Sequence, residues 1–566
     1  MSGSRSPLHR ALMACMAGSL IVSACAGQSG QARGSASQEP TGAFKRIVAT
    51  VQGEPHTLYQ KFNPSSRVPG IENLELLVNA GLGVTNDSAT LVPQLAEQIP
   101  TVENGLWKVL PDGRMETSWK IRSGVRWHDG EPFTTQDLLF TLQVARDKDL
   151  EVLADRIYDS ILAVEAADAQ TILVRWASPR IDADGLFTPD AAMPIPKHLL
   201  ERVYLDDKSK LLEHGFWTEQ FVGLGPFRLQ EFVRGSHLTL LANDAYVLGR
   251  PRIDQIDVKF IPDQNALIAN VLAGSVELTL SRGLSVEQAE QVRALWGDGG
   301  QIAVKFVNWV AVWPQFVNPN PQVVTDARFR QALLHAMDRQ EMADVIQAGL
   351  VPVAHAIINP NDPVYPEIQG SVVRYDFDTR RASQIIESLG YAKGVDGFYR
   401  DAAGERLEIE LRTSATRDVS NKSVLAIGDF WQRVGIATSV AITPPALARD
   451  AEYRVSFPGF ELAQNPNTVM GLDGYGPDPT GAMRKGRNSY RHPEFDGAIG
   501  RLFVTVSAPE RIPILRQIVA HMTGNATVMG IFYGADPFLI GKRLTYVSPG
   551  NQEARMAWNA QQWDVR

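Results

Sequence analysis

At 566 residues the chain is long enough to bury a large core and to divide into roughly two to four domains. Its formal charge is −8, with 63 acidic against 55 basic residues, which argues against phosphate-backbone binding as the main task, so no nucleic-acid partner is expected. The only cysteines are Cys15 and Cys25, so everything beyond them lacks disulfides, thiol nucleophiles and thiolate metal sites.

The first element in chain order is a leader. Arg5, His9 and Arg10 form a basic region, and residues 11–22 are almost wholly apolar. That run is too short to cross a bilayer as a mature helix and suits a signal-peptide core over residues 1–24. Val22-Ser23-Ala24-Cys25 then resembles the lipobox of bacterial lipoproteins. The resemblance implies acylation of Cys25 and loss of Cys15 with the leader; the other reading is a plain secretory signal with a chance cysteine. Residues 26–42 are small and polar, too poor in apolar surface to fold, and read as a flexible tether. With no long apolar span after it, the expected anchor is lipid, held well only by two or more acyl chains.

Mixed strands and helices follow. "KRIVATV" reads as a strand. Met115, Thr117, Trp119 and Ile121 alternate with Glu116, Ser118, Lys120 and Arg122, the period of a half-buried strand. Asp129-Gly130 marks a turn, and Thr134 with Asp137 has capping-box spacing ahead of an apolar run. From Asp326, the residues Phe329, Ala332, Leu333, Ala336 and Met337 fall on one helical face. Asp338 and Glu341 start a second helix; Asp378 caps a third, with Ala382, Ile385, Ile386 and Leu389 as its stripe and Gly390 as its stop. "LEIELRTS" from Leu407 is another alternating strand. Interleaved strands and helices define a mixed α/β (α+β) class.

Enzyme motifs are missing. There is no H-E-x-x-H, no G-x-S-x-G and no Walker A pattern, and Gly223-Leu224-Gly225-Pro226 lacks the Lys-Ser/Thr of a phosphate loop. The ten histidines show no metal-ligand spacing. His128 and Asp129 read as turn residues rather than catalytic ones.

Seven segments in order carry a resemblance: "GEPHTL", "WKIRSGVRWHDGEPFTTQDLLFTL", "GLGPFRLQEF", "NDAYVLGRPRIDQIDVKFIPDQNALIANVLAGSVEL", "DARFRQALLHAMDRQEM", "YDFDTRRASQIIESLGY" and "NSYRHPEFDGAI". Together they resemble the large solute-binding proteins of peptide-type ABC importers, extracellular family 5. The resemblance implies a three-lobed, periplasmic-binding-protein-like fold with a ligand cleft between two main lobes. Lobe I would comprise 43–82, 213–309 and 530–566, lobe II 83–212, and lobe III 310–529. Crossings near 309–320 and 529–535 would act as hinges. The implied protein is a membrane-anchored receptor that captures peptides or a similar mid-sized solute and delivers it unaltered to a permease, with the ATPase a separate chain. It would sit at the extracytoplasmic face or in the periplasm, tied to the bilayer through acylated Cys25.

Expected ligand contacts are Trp309, Trp313 and Phe316, clustered at the proposed crossing, with core packing as the alternative for each. Family peptide binders often carry Trp-x-x-Asp-Tyr in the cleft-floor loop, whose Asp pairs with the peptide amine. Here Tyr475 falls where that Asp would be, and the nearest acid is Asp473. Arg484 and Arg487 in the same loop are candidates for a carboxylate or phosphate, with solvated surface charge as the alternative. Asn79-Ala80-Gly81 replaces the frequent Tyr-Glu-Gly and is expected to abut the cleft. No catalytic residue, cofactor or metal is expected. Some relatives carry nickel or haem-like cargo, and His56, His355 and His492 could converge, but a surface role for each is the better reading. The alternatives are a receptor for a non-peptide cargo (oligosaccharide, opine-like compound or chelated metal), a secreted lipoprotein hydrolase, or a sensor without a permease.

Overall fold

The "KRIVATV" strand forms as Arg46–Val51 and runs parallel to Gln255–Phe260 near one end of a ten-stranded mixed sheet. The computed structural model describes residues 43–63, 68–153, 156–280, 284–414, 418–444, 447, 453, 456–476, 490–551 and 553–566. The leader, Cys25, the tether, Arg484 and Arg487 lie outside the described residues.

The sheet runs in the order Ala437–Thr443, Glu408–Ser414, Phe460–Asn465, Gly300–Pro314, Met529–Gly541, Leu278–Thr279, Arg46–Val51, Gln255–Phe260, His237–Ala242, Phe227–Val233. Its middle is the antiparallel pair Gly300–Pro314 and Met529–Gly541, in register from Gly300 opposite Gly541 to Val312 opposite Met529. One end of this pair joins Phe460–Asn465 and the other joins Leu278. Register shifts between Phe306 and Asn308, and between Val310 and Ala311, interrupt the ladder. An unpaired extra residue bends a strand and sharpens its twist, so the sheet changes direction there. The strand stays hydrogen-bonded through Pro314, a residue tolerated at a strand end, and of its two irregularities one lies just upstream of the expected 309–320 crossing and one, at Val310/Ala311, lies within it.

The two long strands feed separate cores. Trp309, Val312, Phe532 and Tyr533 pack with Phe329, Trp431 and Phe460 in one cluster. Phe538 and Ile540 pack with Ile47, Ile256, Trp217 and Trp563 in a second. A third surrounds Trp119, Trp176 and Phe187 beside an antiparallel four-stranded sheet of Trp107–Val109, Met115–Lys120, Thr171–Trp176 and Ile161–Ala166. Each such apolar side chain contributes about 1.5–3 kcal/mol by leaving water.

Local chemistry follows the sequence closely. Met115, Thr117 and Trp119 are buried and alternate with less buried neighbours. Thr134 and Asp137 close a full capping box on helix Thr135–Ala145. Asp326, Asp338 and Asp378 each accept a backbone N–H at a helix start, and Gly390 takes φ +92° past the end of Thr379–Ser388. The stripe Phe329, Ala332, Leu333, Ala336, Met337 is fully buried.

The His128–Gly130 turn has a further role. Gly130 N–H closes it on the Trp127 carbonyl, but His128 itself reaches across the chain. Its N–H donates to the Gly223 carbonyl at 3.0 Å, Gly223 N–H donates to its Nδ1 at 3.2 Å, and its Nε2 lies 3.0 Å from the Gly225 carbonyl. An acceptor Nδ1 and a donor Nε2 define a neutral ring, and burial lowers its pKa to about 4. His128 therefore fastens the Gly223–Gly225 segment, which packs against the end of helix Ile71–Val78. Gly225 N–H donates to the Val78 carbonyl, and Asn79 Oδ1 accepts from Leu224 N–H. This corrects the expectation for Asn79 and Ala80: they are 1% and 0% exposed and form an interior joint, not a cleft wall.

Candidate ligand cleft

A cavity of about 700 Å³ opens between the chain regions that feed these cores. Its lining includes Glu72, Lys305, Glu553 and Arg555 from one set of chain segments, Asp182, Asp184 and Asp190 from a second, and Thr468 and Met470 from a third. Its volume falls within the range of small-molecule sites, about 300–1,000 Å³.

Lys305 enters from strand Gly300–Pro314, one residue before the register shift. Its Nζ donates to the Ala554 carbonyl at 2.5 Å. Burial lowers its pKa to about 8, opposed by the carboxylates of Glu72 and Asp536. Arg555 spans two walls: its guanidinium donates to Gln60 Oε1 at 3.1 Å and to the Pro189 carbonyl at 3.0 Å, and stands 3.3 Å from Asp190. Arg180 grips Asp182 through two bonds of 2.9 and 2.6 Å. Asp184 is pushed up to about 7 by burial and then by the Asp182 carboxylate. Glu553 reaches about 7 through burial, with Asp362 and Asp190 adding negative charge. Glu75, on the same helix as Glu72, is 2% exposed and is also raised to about 7 by burial, an effect Arg555 partly offsets.

The described sequence-derived candidates do not line this cavity. Trp309 and Trp313 are 2% and 3% exposed, inside the largest of these core clusters. Tyr475 stacks on Trp313 with centroids 5.1 Å apart and planes at 17°. Burial drives the Tyr475 phenol's pKa upward, and the Trp309 indole N–H partly offsets that rise. Neither indole N–H nor the Tyr475 hydroxyl makes a well-formed hydrogen bond among the described residues. Phe316 sits apart, edge-on to Tyr490 at 4.8 Å and under the Arg330 guanidinium. The structure thus groups Trp309, Trp313 and Tyr475 and separates Phe316 from them. Asp473 is exposed on the short helix Met470–Tyr475, whose first residue lines the cavity.

Sequence reasoning missed Lys305, Asp184, Glu553 and Arg555. Lys305 had a signal, as the lone charge in "QIAVKFVNWVAVW"; the others reach the cavity only through tertiary pairing. Among the described residues no group of three or more His, Cys, Asp or Glu is placed to hold a metal. His56 is exposed, His355 is lowered to about 4 by burial, and His492 lies 4.5 Å, ring to ring, from His521. No described helix is long and apolar enough to cross a membrane.

A charged cavity lined from well-separated stretches of one chain has the size and polarity of a solute-binding site. The chain belongs to the bacterial extracellular solute-binding proteins, family 5, whose model ("family 5 Middle") matches residues 90–483. The oligopeptide-binding protein AppA of Bacillus subtilis is 26% identical over 430 residues, 75% of this chain and 74% of that one. Its structure with a nonapeptide superposes with a TM-score of 0.67 at 21% identity, covering 92% of this chain and 99% of AppA. NikA from Brucella suis, solved with Fe(III)-EDTA, superposes with a TM-score of 0.73 at 17% identity, covering 92% of this chain and all of that one. A putative ABC transporter peptide-binding protein of Brucella ovis is 27% identical over 291 residues; this chain spans about half its length, 51%. Members of this family are extracellular solute-binding proteins.

Proposed function

We propose that this protein is the solute-capturing subunit of an ABC importer and that it closes its lobes on a peptide or a similar mid-sized solute in the cavity of Lys305, Asp184, Glu553 and Arg555. The observation that carries the reading is the cavity itself, about 700 Å³ and lined from well-separated stretches of the chain, 60–91, 157–191, 305, 468–470 and 553–555. In this reading the lobes are 43–82 with 213–309 and 530–566, then 83–212, then 310–529. Bending occurs at the register shift Phe306–Asn308 and its partners Gly534 and Ala535. Ligand touching both walls favours closure by its differential affinity, and water exclusion strengthens the polar contacts. The closed form passes cargo, chemically unchanged, to a permease driven by a separate ATPase. Acylated Cys25 holds the protein at the extracytoplasmic face. The names and titles of AppA and the Brucella ovis relative support peptide cargo. Tyr475 in place of an aspartate favours a second reading, a non-peptide cargo such as a chelated metal, supported by the NikA complex with Fe(III)-EDTA.

Native mass spectrometry of the purified protein identifies the co-purifying solute, and small-angle scattering with and without it reports closure. A peptide ladder and a contracted curve are expected. Superimposable curves, or a cargo released chemically altered, would end the proposal. Asp473→Ala tests the amine contact beside Met470: affinity for an amine-bearing peptide is expected to fall at least tenfold, about 1.4 kcal/mol. Unchanged titration calorimetry would remove Asp473 from the site.

A further inference from the structure

Three of the five carboxyl groups on the cavity wall already face a cation. Glu72 supports the charge on Lys305, Asp190 meets Arg555, and Asp182 is held by Arg180. Asp184 and Glu553, which line the cavity from distant parts of the chain, have no ion-pair partner among the described residues. The cation that acts on Asp184 is Arg511, and its Nη1 is already committed to the carbonyls of Thr505 and Val506. The charges that act on Glu553 are those of Asp362 and Asp190, both negative.

Two carboxyl groups without an ion-pair partner among the described residues, in a partly desolvated cavity, are unfavourable unless they are protonated or meet a further cation. An arriving cation offsets that cost, whereas an arriving anion adds repulsion. We infer that Asp184 and Glu553 form a cation-accepting pair, so that the cleft selects solutes bearing a cationic nitrogen beyond any terminal amine, such as short peptides with a lysine or arginine side chain. This inference rests on the reading of the cavity as the solute site. Both carboxyl groups hold protons part of the time near pH 7. A docking ammonium displaces those protons, so uptake of the cationic solute releases them to the buffer.

The test uses titration calorimetry of the full chain at pH 7.0 with Ala-Lys-Ala, Ala-Ala-Ala and Ala-Glu-Ala, in two buffers of different ionisation enthalpy. The lysine peptide is expected to bind at least tenfold more tightly than the neutral one, and the glutamyl peptide more weakly than either. Its binding enthalpy is expected to change with buffer in the sense of proton release. In the double variant Asp184→Asn, Glu553→Gln the lysine-to-alanine affinity ratio should fall below threefold. Equal binding of the lysine and neutral peptides by the wild type would overturn the inference and leave the peptide-receptor reading standing. A lysine preference that survives in the double variant would overturn the assignment to these two residues. Failure of every peptide to bind would overturn the peptide reading and this inference with it.

Discussion

Gly223→Ala is expected to destabilise the protein by about 3 kcal/mol or more, at or above the top of the usual range for overpacking, with Gly225→Ala close behind. A Cβ at Gly223 would stand 2.0 Å from the Val78 carbonyl oxygen, and one at Gly225 would stand 2.4 Å from the Val78 carbonyl carbon. Both neighbours are backbone, so no side chain can rotate away. They end helix Ile71–Val78, which carries Glu72 toward the cavity and packs in the same cluster as Ile47 and Trp217. Relief of the clash would pull Gly223 from His128 and Gly225 from Val78, opening the joint at its fastener. Gly235→Ala is the control: its φ of +72° imposes backbone strain, but no atom lies within 4 Å, so a loss of about 1 kcal/mol is expected. Urea unfolding separates the cases. A Gly223→Ala midpoint no lower than that of Gly235→Ala would mean that the close approach does not limit stability.

What could be read from the chain beforehand was local. Helix caps at Thr134, Asp326, Asp338 and Asp378, the stripe from Phe329 to Met337 and the alternation from Met115 are set by neighbours within a few residues. The seven motifs carried the family because their order spans most of the chain. The cavity was not legible for the opposite reason. Lys305 meets Ala554, and Arg555 meets Pro189, across hundreds of residues, through strand pairings that no local pattern encodes. Trp309 and Trp313 show the limit in another form: an aromatic on an apolar strand suits a cleft wall or a core equally until its neighbours are known, and here Phe329 and Trp431 share their core. Asn79 misled because the family resemblance set its segment against the cleft, whereas its amide is consumed by the backbone of Ala80, Leu224 and Pro194.

Glu75→Gln and His128→Gln are expected to tilt the pH dependence of stability in opposite directions. Glu75 keeps its proton in the folded state up to about pH 7, against an ordinary value of 4.5. Its contribution is therefore fully present below pH 4.5 and is lost as pH rises through 7, by about 3 kcal/mol, because each tenfold change in proton affinity is worth about 1.4 kcal/mol. His128 has the reverse sign. Folding lowers it from 6.5 to about 4, so its contribution is present above pH 6.5 and is lost as pH falls through 4, by an amount of similar order, about 2–3 kcal/mol. Asp184 and Glu553 add to the first slope and His355 to the second, so the wild-type curve between pH 4.5 and 6.5 is a balance of opposed contributions. Glutamine at position 75 matches the protonated acid in shape and has no proton to lose. The Glu75→Gln urea midpoint should match the wild type near pH 4.5 and exceed it increasingly toward pH 8. Glutamine at position 128 removes the opposing slope and breaks the bonds to Gly223 and Gly225, so that variant should be weaker at pH 8 and approach the wild type as pH falls toward 4. Midpoint curves for both variants that run parallel to the wild type from pH 4 to 8 would show that neither group carries its proton as its burial dictates. Variants of Asp184 and Glu553 that leave the slope unchanged would separate the charge balance of the cleft from that of the core beneath it.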